Sequence, residues 1–299
     1  MKRTLASLFL VTALTLTACG NESVDSDTDE ELTYETEGPD DSTEDATETS
    51  DENSETASED NSEDTEDDTE EESDEEETTY LYEVNQNDYA TVQVIDGEEA
   101  NEQVALLTYD DAPDKYALDI AEVLAEHDAP AIFFVNGMYA ENEEGREMLK
   151  EIYDMGFAIG NHTHTHPSLP SLSEEEQTEE IMKTSDLVEE ITGERPRFFR
   201  APFGQNTDHA REVVEEDGMI LMNWTYGYDW EADYMEAEAL ADIMVNTYLL
   251  RPGANLLMHD REWTLEATPA IIEGLREKDY ELVNPDAIRF VENEREETE

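Results

Sequence analysis

Three histidines, His162, His164 and His166, fall within five consecutive positions, although the whole chain contains only six histidines. Imidazole nitrogens are common ligands of divalent metals, so this cluster predicts a metal site. On one helical turn His162 and His166 would face the same side, while His164 would point elsewhere. Pro167 disfavours helical geometry at His166, so we expect a short or irregular turn. Spacing alone therefore does not decide which pair binds.

Two adjacent carboxylates, Asp110 and Asp111, follow the apolar run VALLTY at residues 104–109. Buried carboxylates are costly without partners, because burial disfavours the charged form. Adjacent residues that leave a strand point in different directions, so one carboxylate can bind a metal while the other faces a reacting water. An ordinary acidic turn would contain the same two residues.

Further candidate residues follow other apolar runs. Arg200 begins the segment RAPFG, and an arginine can hold a carboxylate through its rigid fork of donors. Asp229 stands beside Trp230, and His259 ends the apolar run ANLLMH. A buried, hydrogen-bonded core histidine is the alternative interpretation of His259.

These side chains need a scaffold that brings distant segments together. Seven short apolar runs occupy residues 104–109, 131–136, 157–161, 197–201, 219–224, 254–259 and 280–284. Amphipathic segments of helical length lie between them, near 114–127, 141–155, 173–192, 207–217, 235–248 and 264–277. This alternation predicts an α/β fold with parallel strands and helical crossovers. Ser173 and Glu176 have the spacing of a capping box.

The polar residues favour a barrel over an open doubly wound sheet, which shares this alternation. Six of them stand at the C-terminal ends of apolar runs: Asp110, Asp111, His162, Arg200, Asp229 and His259. In a barrel these ends converge on one mouth, whereas in an open sheet they would be spread along an edge. The segment TVQVID at 91–96 precedes the first unit, and we expect it to cover the bottom or an edge.

Five motifs, taken in order, resemble those of the NodB-homology polysaccharide deacetylases, the fourth family of carbohydrate esterases. The matching segments are TYDDA (108–112), HTHTH (162–166), RAPFG (200–204), DW (229–230) and LMH (257–259). The resemblance covers about residues 100–284. It implies a distorted (β/α)7 barrel, which agrees with the seven apolar runs. Four positions depart from the family's usual residues and bear on the shape of the sugar site: Tyr109, Ala112, Phe203 and Tyr226.

The resemblance implies a metal centre and a base. Asp111, His162 and His166 would bind one divalent metal ion, zinc or another, which would polarise the acetyl carbonyl and activate a water. Asp110 would be the general base that takes a proton from this water. Arg200 would orient Asp110 and keep it charged. His164, the middle histidine, would not be a ligand.

The resemblance also implies an acid and an acetyl pocket. His259 would protonate the leaving amine as general acid, and Asp229 would raise its pKa. The backbone N–H of Phe203 would stabilise the oxyanion together with the metal. Trp230 and Leu257 would form a small apolar pocket around the acetyl methyl group.

The implied reaction is hydrolysis of N-acetyl groups in an amino-sugar polymer, which releases acetate. An amide needs its leaving amine protonated, so the acid His259 favours N-acetyl over O-acetyl substrates. An O-acetyl esterase, for example one acting on acetylated xylan, is the alternative within enzymes. A non-catalytic glycan-binding lipoprotein is the alternative outside them, but it would be expected to lack Asp110 or His259.

The first 19 residues have the pattern of a bacterial lipoprotein signal peptide. Two basic residues precede a short apolar run, and LTAC at 16–19 resembles a lipobox that would leave Cys19 as a lipid-bearing N-terminus. An ordinary signal cut near Ala18 is the alternative. Cys19 is the only cysteine, which excludes an intramolecular disulfide and a cysteine zinc site.

The next segment, residues 20–80, has the composition of a disordered linker. Residues 21–80 contain 30 Asp or Glu and no Lys or Arg, so little apolar surface is available to offset conformational entropy. We interpret it as a tether between a lipid anchor and a catalytic domain at 81–299, placed outside the cytoplasmic membrane. A solvated tail is compatible with the same residues. Peptidoglycan is the N-acetylated polymer within reach of such a tether.

The remaining chain, residues 81–299, is also strongly acidic. It holds 52 acidic and 14 basic residues, for a formal net charge of −38. No basic patch is available to neutralise phosphates, which argues against a nucleic-acid partner. We expect a monomer that meets the membrane only through its lipid anchor.

Overall fold

The structure is a computed structural model, and it describes residues 80–289. The predicted signal peptide with Cys19 and the acidic linker up to residue 79 lie outside these residues. Among the helices of the described part, none is long and apolar enough to cross a membrane.

In the described part of the chain, eight parallel strands form one curled sheet. They are β3 (Val104–Ala112), β4 (Ala131–Val135), β5 (Ala158–Asn161), β6 (Phe198–Phe199), β7 (Ile220–Leu221), β8 (Tyr226–Gly227), β9 (Ala254–His259) and β10 (Glu281–Leu282). The strand order is β7-β6-β5-β4-β3-β9-β8, and β10 pairs with the first residues of β3. Within residues 80–289 no ladder joins β7 to β8, so the barrel is distorted and open there. The predicted α/β fold and distorted (β/α)7 barrel are confirmed.

Each predicted apolar run overlaps one strand of this sheet. The strand β8 is an addition, since it lies in the segment TYGYD (225–229), which contains no Val, Ile, Leu or Phe. The segment 91–96 contributes β2 (Val92–Val94), which pairs antiparallel with β1 (Tyr82–Val84) as a separate hairpin.

Among the described residues, six α-helices connect the strands, each close to its predicted position. They are α1 (Ala117–Glu126), α2 (Glu143–Asp154), α3 (Glu174–Thr192), α4 (Asp208–Glu216), α5 (Ala237–Asn246) and α6 (Glu262–Glu277). The predicted capping box begins α3: the Ser173 side chain accepts from the Glu176 N–H, and the Glu176 carboxylate accepts from the Ser173 N–H. Gly193 ends the same helix in the left-handed region, at φ 88°.

Alternate residues of the central strand β3 face opposite sides of the sheet. Leu107 and Tyr109 pack among the residues of α1 and α6, in the layer between sheet and helices. Leu106 faces the barrel interior, where the β1–β2 hairpin closes the apolar cluster around the start of β3. Thr108 and Asp110 follow on the interior face, so this alternation carries polar side chains to the mouth.

Candidate active site

The C-terminal ends of the strands surround a cleft of about 560 Å³. Nine of the ten predicted site residues of the folded part line it: Asp110, Asp111, His162, His166, Phe203, Asp229, Trp230, Leu257 and His259. The tenth, Arg200, is fully buried behind them and donates to Asp110. The structure therefore brings all ten residues together, although their sequence positions span 150 residues.

Asp111, His162 and His166 form a group that fits a metal ion. One ligand atom from each lies within 4.8 Å of the others. Nδ1 of His162 lies 2.7 Å from the carbonyl oxygen of Arg200, which accepts the Nδ1 proton and leaves the Nε2 lone pair free. Burial lowers the pKa of His162 despite the nearby Asp110 and Asp111, so the ring is neutral, as a metal ligand must be.

An irregular loop, and not a helical turn, orients the two histidines. Thr163 and His166 lie in the left-handed region, at φ 67° and 58°. The rings of His162 and His166 meet edge to face, with centroids 4.9 Å apart. The prediction of an irregular turn before Pro167 is confirmed, and helical spacing is not the reason that the pair shares one side.

His164 lies outside the metal group and supports the loop from behind. Its buried ring places Nε2 3.0 Å from Oε1 of Glu141 and 2.7 Å from Nζ of Lys183. Its backbone N–H donates to the carboxylate of Glu180. The middle histidine therefore fastens the loop to α3.

A β-bulge near the end of β3 presents both adjacent carboxylates to the cleft. The register against β4 shifts between Tyr109 and Ala112, and Asp111 has φ 65°. Asp110 continues the interior face of the strand, whereas the left-handed turn directs Asp111 toward His166, whose Nε2 lies 3.8 Å from Oδ1.

Arg200 holds the Asp110 carboxylate. Its Nη1 donates to Oδ1 of Asp110 at 2.6 Å, and Oδ2 of Asp110 lies 3.5 Å from Nε2 of His162. The guanidinium also donates to the side chains of Thr108 and Asn255 and to the carbonyl oxygens of Met222 and Asn223. It also lies over the ring of Phe134, 4.2 Å from the centroid. A fully buried arginine with this many partners keeps Asp110 in one orientation.

Asp229 holds His259. Its Oδ1 lies 2.7 Å from Nδ1 of the histidine ring, and its Oδ2 accepts from the His259 backbone N–H at 2.6 Å and from the hydroxyl of Thr264 at 2.8 Å. Burial alone would lower the pKa of His259. The hydrogen bond and charge of Asp229, with further charge from Asp110 and Asp111, outweigh burial and raise this pKa.

Aromatic side chains form the walls of the cleft. Phe203 is 61% exposed and Trp230 is 45% exposed, so both rings are available to a ligand, whereas Leu257 is buried. The ring of Trp230 meets His259 edge to face at 5.4 Å. Three further aromatic or apolar side chains that line the cleft were not predicted: Trp224, Met235 and Trp263. No motif marks them, but all three tryptophans of the chain line this cleft.

Two polar residues directly after His259 were also missed. The carboxylate of Asp260 accepts backbone N–H groups from all four residues of 114–117, at 2.5 to 3.1 Å. Arg261 donates to Oδ2 of Asp111 at 3.0 Å. Their position at the end of an apolar strand is the signal that could have identified them.

Comparisons with known proteins agree with this geometry. The family model of polysaccharide deacetylases matches residues 97–222. A peptidoglycan-N-acetylglucosamine deacetylase of Bacillus cereus is 33% identical over 188 residues, which cover 60% of this chain and 68% of that protein. A chitooligosaccharide deacetylase of Azorhizobium caulinodans is 34% identical over 163 residues, 54% of this chain and 75% of that protein.

A solved structure shares the fold. The crystal structure of a CE4 family pseudoenzyme from Bacillus anthracis matches with a TM-score of 0.56 and 30% identity. The match covers 62% of this chain and 64% of that one, so this chain spans slightly less than two thirds of its structural neighbour.

Proposed function

The chain belongs to the polysaccharide deacetylase family, and we propose that it removes N-acetyl groups from peptidoglycan with the help of a bound divalent metal ion. Its similarity to named deacetylases supports a hydrolase that acts on carbon–nitrogen bonds of acetylated polysaccharides. One observation carries the finer proposal: the cleft holds a braced carboxylate, Asp110 with Arg200, and a braced imidazole, His259 with Asp229, beside the Asp/His metal group.

The donor set of Asp111, His162 and His166 suits zinc and other divalent ions. Such an ion, when bound, would polarise the acetyl carbonyl and lower the pKa of a bound water. Asp110 takes a proton from the attacking water. Its Oδ1 is engaged by Arg200, so Oδ2 is the oxygen that receives the proton.

His259 supplies the proton that the leaving amine needs. An amide nitrogen is a poor leaving group until it is protonated, so the reaction needs an acid that is charged near neutral pH. The raised pKa of His259 meets this need. An ester releases its alcohol more easily than an amide releases its amine. The presence of an acid positioned by Asp229 therefore supports an N-acetyl substrate.

The cleft walls suit an acetylated sugar. Leu257 and Trp230 offer apolar surface to the acetyl methyl group, and the exposed rings of Phe203 and Trp230 offer stacking surface to a pyranose. The Phe203 N–H is the candidate donor to the oxyanion.

The pseudoenzyme neighbour raises a second candidate, glycan binding without catalysis. In this chain the base Asp110 contacts its partner Arg200, and the acid His259 contacts its partner Asp229, which supports catalysis.

We also propose that the chain works outside the cytoplasmic membrane, held as a monomer by a lipid on Cys19. The lipobox-like LTAC at 16–19 supports this location.

Acetate release from purified peptidoglycan, chitooligosaccharides and acetylated xylan tests the substrate. We expect the highest kcat/KM on peptidoglycan. Preference for chitooligosaccharides would support the proposed N-deacetylase reaction but contradict peptidoglycan as the substrate. Preference for acetylated xylan would instead indicate an O-acetyl esterase, and binding to any of the three without acetate release would indicate a glycan-binding protein.

A further inference from the structure

Arg261, the second residue after His259, reaches the metal group although it belongs to none of the five motifs. Its Nη2 donates to Oδ2 of Asp111 at 3.0 Å. We propose that Arg261 is a positioning residue for Asp111, because it engages one carboxylate oxygen and leaves the other directed at the metal position. The proposal rests on the proposed function only in taking Asp111 as a metal ligand.

The two oxygens of the Asp111 carboxylate face different partners. Oδ1 lies 3.8 Å from Nε2 of His166, on the side of the metal group, whereas Oδ2 meets Arg261. A free carboxylate turns through a broad range of angles, because its terminal torsion has no sharp staggered minima. A hydrogen bond to one oxygen narrows this range, so the other oxygen points toward the imidazoles before a metal binds.

Arg261 is itself held by a braced backbone. Its Nη1 donates to the carbonyl oxygen of Asp260 at 2.7 Å. The Asp260 carboxylate accepts the N–H groups of residues 114–117, shortly after Asp111, and the Asp260 N–H donates to the carbonyl of Asp110 at 3.1 Å. Arg261 and Asp111 therefore lie on two segments that are joined by hydrogen bonds. These bonds keep the hydrogen bond between Arg261 and Asp111 in one geometry.

The positive charge of Arg261 and its positioning of Asp111 predict opposite effects on the affinity for the metal ion. Arg261 is the only Lys or Arg among the described residues that line the cleft, and a cation beside a metal ligand repels the metal ion. By charge alone, removal of Arg261 would strengthen metal binding. Positioning predicts weaker binding, because loss of an outer partner of a metal ligand typically costs about 10- to 100-fold in affinity.

The test is a zinc titration of the metal-free purified protein against a chromophoric chelator, with Arg261→Gln, Arg261→Lys and the wild type. Arg146→Gln is the matched control, because it removes the same charge from an exposed pair with Glu190 outside the cleft lining. The side chain of Arg261 is 36% exposed, so its variants leave no buried cavity. The visible spectrum of bound Co²⁺ reports the ligand geometry independently of activity.

We expect Arg261→Gln to weaken Zn²⁺ binding about tenfold and to change the Co²⁺ spectrum. Arg261→Lys should fall between Gln and the wild type, since lysine keeps the charge but lacks the fork. Arg146→Gln should match the wild type. Unchanged or tighter Zn²⁺ binding by Arg261→Gln would overturn the positioning role and leave the proposed function standing. A wild-type protein that binds no Zn²⁺ and no Co²⁺ would overturn both.

Discussion

The carboxylate of Asp229 accepts two hydrogen bonds from a single residue: the ring Nδ1–H of His259 donates at 2.7 Å and its backbone N–H donates at 2.6 Å. The ring bond stabilises the charged imidazolium, and the backbone bond fixes the carboxylate against the strand end. Together they favour the protonated ring and hold it in place, as the proposed role of His259 as general acid requires.

Replacement of Asp229 by Asn should lower both the rate and the upper pH limit of activity. The acid works in its protonated form, so activity falls as pH rises through the pKa of His259. Because Asp229 raises this pKa, Asp229→Asn should move the alkaline limb of the kcat profile to lower pH. We expect kcat at neutral pH to fall about 10²- to 10⁴-fold. An unmoved alkaline limb with bound metal intact would show that another group is the acid.

The two adjacent carboxylates, Asp110 and Asp111, should have different roles in metal binding and turnover, because they face different partners. Asp110→Asn should abolish turnover while metal content stays intact, since the metal group does not include Asp110. His162→Ala should lose both metal and turnover. Metal content by mass spectrometry beside acetate release checks this. An Asp110→Asn protein that lost its metal but kept its activity would mean that the carboxylate roles are reversed.

Replacements within the cluster of three histidines should likewise differ in their effects on metal content and activity. His164→Ala should keep the metal and most of the activity, but it removes a buried ring that contacts Glu141 and Lys183. We expect a loss of about 1–3 kcal/mol in the free energy of unfolding, measured by urea denaturation. His166→Ala should bind no metal and release no acetate. If His164→Ala lost the metal while remaining folded, the loop would be a three-histidine site.

Arg200 should not tolerate replacement by lysine. The fully buried guanidinium donates to Asp110, Thr108, Asn223 and Asn255 through a planar fork that an ammonium group cannot reproduce. Arg200→Lys should lower both kcat and the melting temperature. Arg197→Lys is a control on the same strand–loop segment, with an exposed partner in Asp286. Equal behaviour of the two variants would remove the special role of Arg200.

The scaffold of this site was predictable from the sequence, because strands and helices leave periodic apolar patterns. The seven runs, the six helices and the Ser173 cap all appear in the structure near their predicted positions. The convergence of strand ends explains why Asp110, His162 and His259 meet despite their separation.

Other parts of the site depend on tertiary contacts that leave no periodic pattern. The left-handed backbones of Asp111, Thr163 and His166 are stabilised by their surroundings, since none of the three is glycine. The strand β8 was not recognised, because its segment TYGYD contains no Val, Ile, Leu or Phe. Arg261 belongs to none of the five motifs, and its hydrogen bond to Asp111, 150 residues away, follows only from the way the strand ends converge.

The most direct test of the central claim is acetate release from purified peptidoglycan by one preparation of protein, measured before chelation, after chelation and after return of Zn²⁺. The metal group, the braced base and the braced acid together predict activity that disappears with the chelator and returns with the metal. Acetate release that continues undiminished in a preparation shown to contain no metal would contradict the account.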